Sequence, residues 1–97
     1  MKSFRFKAFG LEWKVRVVKD HPKIRGNFGY CDLNDGVIYI AKNATEIQQK
    51  STLLHELIHL VEQSNGLNFS EHSVLSLEAG LFHVLRDNKE IREEILK

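Results

Sequence analysis

The segment from Glu46 to Ser64 constrains the fold most, because its apolar residues recur with the period of an α-helix and it contains the pentad His-Glu-Leu-Ile-His. Most of these apolar residues fall on one broad arc, as in a helix that packs against a core. The apolar residues of the segment are Ile47, Leu53, Leu54, Leu57, Ile58, Leu60 and Val61. Asn43 or Thr45 offers an N-cap, and Gly66 offers a C-terminal stop. The two histidines of the pentad lie on a separate polar arc, so the sequence predicts a helix with histidines beside a cleft.

The pentad itself predicts a metal site. His55 and His59 are four residues apart, which places them about 40° apart around a helix and lets both imidazoles reach one metal ion. Glu56 projects to the side of such an ion, where its carboxylate can accept a proton from water. Zn²⁺ prefers histidine nitrogens and carboxylate oxygens. A chance match on an ordinary amphipathic helix is the alternative, since this helix is self-consistent without a metal. The glutamate between paired histidines favours the metal.

A catalytic zinc site needs a third protein ligand, and the downstream candidates are Glu71, His72, Glu78 and His83. A second helix with a serine N-cap is predicted at about residues 70–86. Glu78 lies within the apolar stripe of this helix, where an unpaired carboxylate is costly to bury and a metal would stabilise it. Its alternative role is an edge-of-core glutamate paired with a lysine or arginine. Glu71 shares the face of Glu78, but in a first turn the helix dipole alone explains an acidic residue. We predict Glu78 as the ligand and keep Glu71 as the weaker alternative.

The pentad, followed after eighteen residues by Glu78, resembles the gluzincin arrangement. The chain is also similar, over roughly Asn27 to Asn88, to the minimal members called minigluzincins and to short ImmA/IrrE-type metallopeptidase domains. The resemblance implies a zinc ion bound by His55, His59 and Glu78. It implies hydrolysis of peptide bonds, with Glu56 as general base and acid.

One position departs from the gluzincin pattern. Larger gluzincins often have an aspartate four residues after the ligand glutamate, which orients a zinc-binding histidine, and that position is Phe82 here. Such outer partners fix the tautomer of the ligand and strengthen metal binding. An orienting partner must therefore come from elsewhere in the chain, or metal binding is weaker than in the larger enzymes.

Two other classes of function remain open. The first is a zinc-binding regulatory or interaction scaffold without proteolytic activity, although a structural site has no use for a base such as Glu56. The second is a latent peptidase whose cleft is filled by the C-terminal tail or by a dimer partner. The tail from Lys89 to Lys97 has Ile91, Ile95 and Leu96 among charged residues. We therefore expect it to dock on an apolar face, either over the cleft or simply to close the core.

Composition limits the remaining choices. With 97 residues, the chain is expected to form a single domain over residues 1–97. A net charge of +1 gives no sign of nucleic-acid or membrane binding. A single cysteine, Cys31, forms no internal disulfide, and with no visible signal peptide this predicts a cytoplasmic protein. The expected partner is a peptide or protein substrate, and the expected state is a monomer or a latent dimer.

The first forty residues predict an antiparallel sheet of three to four strands. Phe4 and Phe6 alternate with basic residues before a turn at Gly10, and a second hairpin is centred on residues 34–36. The predicted fold is α+β, with this sheet packed on the active-site helix and the ligand-bearing helix, and a short C-terminal helix. The strand from Val37 to Ile40 is expected either at the rim of the cleft, where it could pair with a substrate, or in the middle of the sheet.

Overall fold

A four-stranded sheet and three α-helices make up the fold of the chain, in a computed structural model that describes residues Met1–Lys97. The strands are β1 Phe4–Ala8, β2 Leu11–Val18, β3 Gly29–Asp32 and β4 Val37–Ala41, and the helices are α1 Glu46–Ser64, α2 Glu71–Asp87 and α3 Lys89–Ile95. A 3-10 helix, Pro22–Ile24, lies between β2 and β3. The α+β class and the order of strands, two long helices and a short C-terminal helix are confirmed.

The strand order is β1-β2-β4-β3, and the sheet is mixed. The two predicted hairpins are present, since β1 pairs with β2 and β3 pairs with β4 in antiparallel fashion. However, β2 and β4 are parallel, with Val15 opposite Ile38, so the sheet is not antiparallel throughout as expected. The reason is the crossover through the 3-10 helix. It carries the chain past the position beside β2, so that β3 becomes the edge strand and the second hairpin returns β4 into the gap.

Strand β4 lies in the middle of the sheet, and all five of its residues are buried. Its unbroken apolar sequence, Val-Ile-Tyr-Ile-Ala, is typical of a strand that is covered on both faces. Of the two positions that the sequence left open for this strand, the structure has the central one. The strand at the edge of the sheet, next to α1, is β3.

The two faces of the sheet form separate core clusters. On one face Val15, Ile38 and Ile40 pack against Leu53 and Leu57 of α1. On the other face the 3-10 helix covers the second cluster, which consists of Ile24, Val37, Tyr39 and Ala41. Helix α1 is therefore fixed on the sheet by its apolar arc, and its polar arc is left for the site.

The caps of both long helices agree with the sequence. Thr45 begins α1 with a capping box, in which its hydroxyl accepts the N–H of Gln48 and the Gln48 side chain accepts the N–H of Thr45. Ser70 caps α2 and accepts the N–H of Ser73 at 3.1 Å. Gly66 follows α1 with a φ of 65°, which suits a glycine.

The prediction that the sheet packs on both long helices is wrong for the second one, because neither α2 nor α3 contacts a strand. Helix α2 contacts α1 and α3, and α3 contacts α2 alone. No residue of α3 is buried, and Ile91, Ile95 and Leu96 remain exposed. The tail therefore docks on α2, but it neither closes the core nor reaches the pentad helix.

Candidate metal centre

Helix α1 presents the two histidines of the pentad side by side. The imidazole centroids of His55 and His59 are 4.9 Å apart, and the rings are inclined by 72°. Both side chains are partly accessible, because the polar arc of α1 faces α2 and the solvent while the opposite arc packs on the sheet. The predicted pairing of the histidines on one helical face is present.

Glu71, at the start of α2, faces the Nε2 atoms of both histidines. Its Oε1 is 3.2 Å from Nε2 of His55, and its Oε2 is 3.7 Å from Nε2 of His59. One ligand atom from each of the three residues can be chosen so that all lie within 4.8 Å of one another. Two imidazole nitrogens and a carboxylate form the donor set of a catalytic zinc site, so the residues present fit a Zn²⁺ ion.

Glu78, two helical turns further along α2, meets the opposite nitrogen of His55. Its Oε2 is 2.7 Å from Nδ1 of His55, and its Oε1 accepts the hydroxyl of Ser51. The structure thus brings Glu78 into the cluster, as the sequence suggested. It lies on the outer side of the His55 ring, however, while Glu71 lies at the two Nε2 atoms.

A further carboxylate, Glu62, belongs to the cluster and was not assigned from the sequence. Its Oε1 is 3.1 Å from Nδ1 of His59, and its Oε2 accepts the N–H of Phe69 at 2.6 Å. The signal for it was its position three residues after the second histidine, since residues at this spacing are neighbours on a helix. Each histidine therefore has one carboxylate at Nδ1 and faces Glu71 with Nε2.

Glu56 lies next to the histidines and is buried, with 7% of its surface exposed. Burial raises the pKa of its carboxyl above the usual value, and the charge of Glu71 adds to this rise. The neighbouring imidazoles of His55 and His59 and a backbone hydrogen bond from Cys31 oppose it. A buried carboxylate with a raised pKa beside a candidate metal site is suited to accept a proton and return it.

Close approach of β3 to α1 depends on Gly29. A Cβ atom at this position would overlap the Cγ2 of Thr52, lie 2.9 Å from the carbonyl oxygen of Tyr39 and lie 3.5 Å from the Cγ of Glu56. Only glycine lets the edge strand lie this close to the helix that carries Glu56.

A cavity of about 260 Å³ opens beside Glu56, between β3 and α1. Its lining includes Glu56 and His59 from α1 and Cys31 from β3, and it is completed by Tyr30, Leu33 and Gln63. A larger cavity of about 680 Å³ lies near the 3-10 helix and contains none of the pentad residues. The smaller cavity is therefore the one that can receive a group from a molecule bound at the histidines.

Comparison with known proteins identifies a family. The model of the family Peptidase_M78, described as the IrrE N-terminal-like domain, matches residues 12–95. This range includes the pentad, Glu62, Glu71 and Glu78. Searches of the curated proteins and of the solved structures found no significant match. None of the three helices is both long and apolar enough to cross a lipid bilayer.

Proposed function

We propose that this chain, which belongs to the Peptidase_M78 family of IrrE N-terminal-like domains, is a zinc-dependent peptidase that hydrolyses peptide bonds. The observation that supports this most strongly is the arrangement of four side chains. Nε2 of His55, Nε2 of His59 and the carboxylate of Glu71 converge, and the buried carboxylate of Glu56 lies beside them. Metal ligands with an adjacent base are the parts that metal-assisted hydrolysis requires.

The proposed ligands are His55, His59 and Glu71, which replaces Glu78 of the sequence-based prediction. A metal takes one nitrogen of each ring, and the other nitrogen donates to an outer partner such as a carboxylate. Glu78 is engaged at Nδ1 of His55 and by Ser51, so it has the position of an outer partner. Glu71 faces the Nε2 atoms of both rings and has the position of a ligand. Glu78 thereby supplies the orienting carboxylate that Phe82 cannot.

Glu56 is the proposed general base and acid. When bound, zinc would act as a Lewis acid and lower the pKa of water at the site to about 7. Glu56 accepts a proton from the attacking water and then donates it to the leaving amine. Its burial supports this role, because the raised pKa favours return of the proton.

Strand β3 is the proposed docking edge for an extended peptide. It has a neighbour, β4, on one side only, so its other edge is open to main-chain pairing except at Cys31, whose N–H already hydrogen-bonds to Glu56. The cavity beside Glu56 and His59 lies along the same strand and has room for one side chain of the peptide. These features favour a peptide substrate over a compact small molecule.

Replacement of the base tests the proposed activity. Glu56→Gln keeps the size of the side chain but removes its ability to accept the proton. Cleavage of an unstructured protein by the zinc-loaded variant should fall at least about a hundredfold, the usual contribution of a general base. Zinc content and melting temperature should be retained. Equal cleavage by both proteins would contradict the mechanism, and a zinc-loaded wild type that cleaves nothing would favour the scaffold.

A second experiment separates the two candidate ligands on α2. Glu71→Gln should lose most of its zinc in elemental analysis after dialysis at neutral pH, as should His55→Ala and His59→Ala. Glu78→Gln should retain stoichiometric zinc at saturation with an affinity reduced about 10–100-fold, the usual cost of losing an outer partner. Retention of full affinity by Glu71→Gln together with loss of zinc by Glu78→Gln would restore the original assignment.

A further inference from the structure

Glu62 is the most deeply buried carboxylate of the cluster, with 3% of its surface exposed. A buried charge is costly unless hydrogen bonds satisfy it. Both oxygens of Glu62 have a partner, and the two partners belong to different parts of the chain. Oε1 lies 3.1 Å from Nδ1 of His59 in α1, and Oε2 accepts the N–H of Phe69 at 2.6 Å in the segment that leads into α2.

The backbone of Glu62 holds the same segment a second time. Its carbonyl oxygen accepts the N–H of Leu67 at 2.9 Å. Phe69 is followed directly by the N-cap Ser70 and then by Glu71, the first residue of α2. The path from α1 to the proposed third ligand is therefore fixed at two points by one residue.

This support matters for Glu71, because the Glu71 side chain is largely exposed. Its side chain is 63% exposed, and its only side-chain partners are the two histidines. Its direction follows from the backbone at the start of α2, which Glu62 holds.

We infer that Glu62 is a positioning residue that couples two zinc ligands, and this inference rests on the proposed function. Through Oε1 it keeps the proton of His59 on Nδ1, which leaves Nε2 free for the metal. Through Oε2 it holds the Phe69 backbone so that Glu71 reaches the same ion. Glu78 differs from it, because its partners Ser51 and His55 both lie on α1 and it holds no backbone group near Glu71.

Zinc affinity tests the inference without any measurement of catalysis. In the full chain, Glu62→Gln leaves one acceptor oxygen on the side chain. Its two donors, Nδ1–H of His59 and the N–H of Phe69, each need one. The zinc dissociation constant, measured by competition with a chromophoric chelator, should rise about 10–100-fold. The exposed Glu90→Gln on α3 is the matched control and should leave it unchanged. An unchanged constant for Glu62→Gln, even with a lower melting temperature, would show that Glu62 only packs the fold.

A double-mutant cycle tests the coupling to Glu71. The effect of Glu62→Gln on the zinc dissociation constant should be several-fold smaller when Glu71 is already glutamine, because part of the effect acts through Glu71. The Co²⁺-loaded Glu62→Gln protein should also shift its visible absorption bands toward those of Glu71→Gln. Strictly multiplicative effects with unshifted bands would overturn the coupling.

Glu62→Asp keeps the test decisive if Glu62→Gln does not fold. The shorter side chain keeps its charge but can reach only one of the two donors, so it should also weaken zinc binding. If it binds zinc like the wild type, the inference is wrong. A wild type that binds no zinc would instead overturn the proposed function, which distinguishes the two failures.

Discussion

Helices α1 and α2 both supply residues to the candidate metal centre, but they are held in the fold in different ways. Five residues of α1 are buried, and the helix contacts β3, β4 and α2. Only Val74 of α2 is buried, and α2 contacts no strand. Several large apolar side chains of α2 are exposed, among them Leu75, Leu77, Leu81 and Val84.

This difference divides the site into a preformed half and a dependent half. His55, Glu56 and His59 lie on a helix that Leu53 and Leu57 pack onto the sheet, so we expect their placement not to require a ligand. Glu71 is brought to them by polar contacts that pass through the site itself, from Glu62 to the segment before α2 and from Glu78 to His55. Docking of α2 and formation of the metal site should therefore stabilise each other.

Removal of zinc should produce the largest effect and should act mainly on α2. A ligand that binds only the folded state stabilises it, by about 4 kcal/mol when its free concentration is a thousand times its dissociation constant. Chelation should lower the melting temperature accordingly, and added Zn²⁺ should restore it. Hydrogen exchange should accelerate more at the amides of α2 than at those of α1. Equal acceleration in both helices would contradict the distinction between a preformed half of the site on α1 and a dependent half on α2.

Gly29→Ala should damage the preformed half. The added methyl group overlaps Thr52 and lies close to the Tyr39 carbonyl and to Glu56, so β3 and α1 must move apart. Overpacking of this kind costs about 1–3 kcal/mol. Chemical denaturation should show the loss of stability, and peptidase activity should fall even with zinc bound, because Glu56 is displaced. Unchanged stability would mean that the contact between β3 and α1 is looser than described.

Gly80→Ala is the matched change in α2 and should have the opposite sign. Gly80 lies inside the helix, and no atom lies within 4 Å of the position that its Cβ would take. Alanine in a helix interior is more favourable than glycine by about 0.5–1 kcal/mol. The melting temperature of the zinc-bound protein should therefore rise. A fall would indicate that the surface of α2 is covered by another molecule in solution.

Asp32, at the end of β3, should give the smallest effect, and it depends on pH. The N–H groups of Asp35 and Asn34 and the ammonium of Lys23 lower the pKa of the Asp32 carboxyl, with the Asp35 bond the largest cause. A lowered pKa in the folded state contributes stability above the unfolded value of about 3.9 and loses it as the pH falls through the folded value.

The stability difference between wild type and Asp32→Asn should therefore be fully present at neutral pH and shrink in acid. Thermal unfolding from pH 7 down to about pH 2 measures it. Because Asp32 lies in the sheet, hydrogen exchange in α2 should be the same in both proteins. A difference that grows in acid would contradict the direction of the shift in the pKa.

The sequence by itself determined the features that depend on neighbouring residues. The apolar period, the cap residues Thr45 and Ser70 and the breaker Gly66 were enough to define the two long helices. The spacing within the pentad placed both histidines on one helical face, because helix geometry alone sets their separation. The two hairpins followed from strand alternation and turn residues. The match to the family model over residues 12–95 also follows from the sequence alone.

Only the tertiary structure decided how these elements meet. Nothing local in β2 or β4 specifies parallel pairing, which results from the crossover that makes β3 the edge. Glu71 and Glu78 are seven residues apart, about two helical turns, so they share a face of α2 and the sequence could not rank them by direction. Which of them meets Nε2 of His55 and which meets Nδ1 depends on how far α2 slides along α1. The contact between Glu62 and His59 is set within α1, where the two residues are three positions apart. The bond from Glu62 to the Phe69 backbone exists only once the segment before α2 has folded back onto α1.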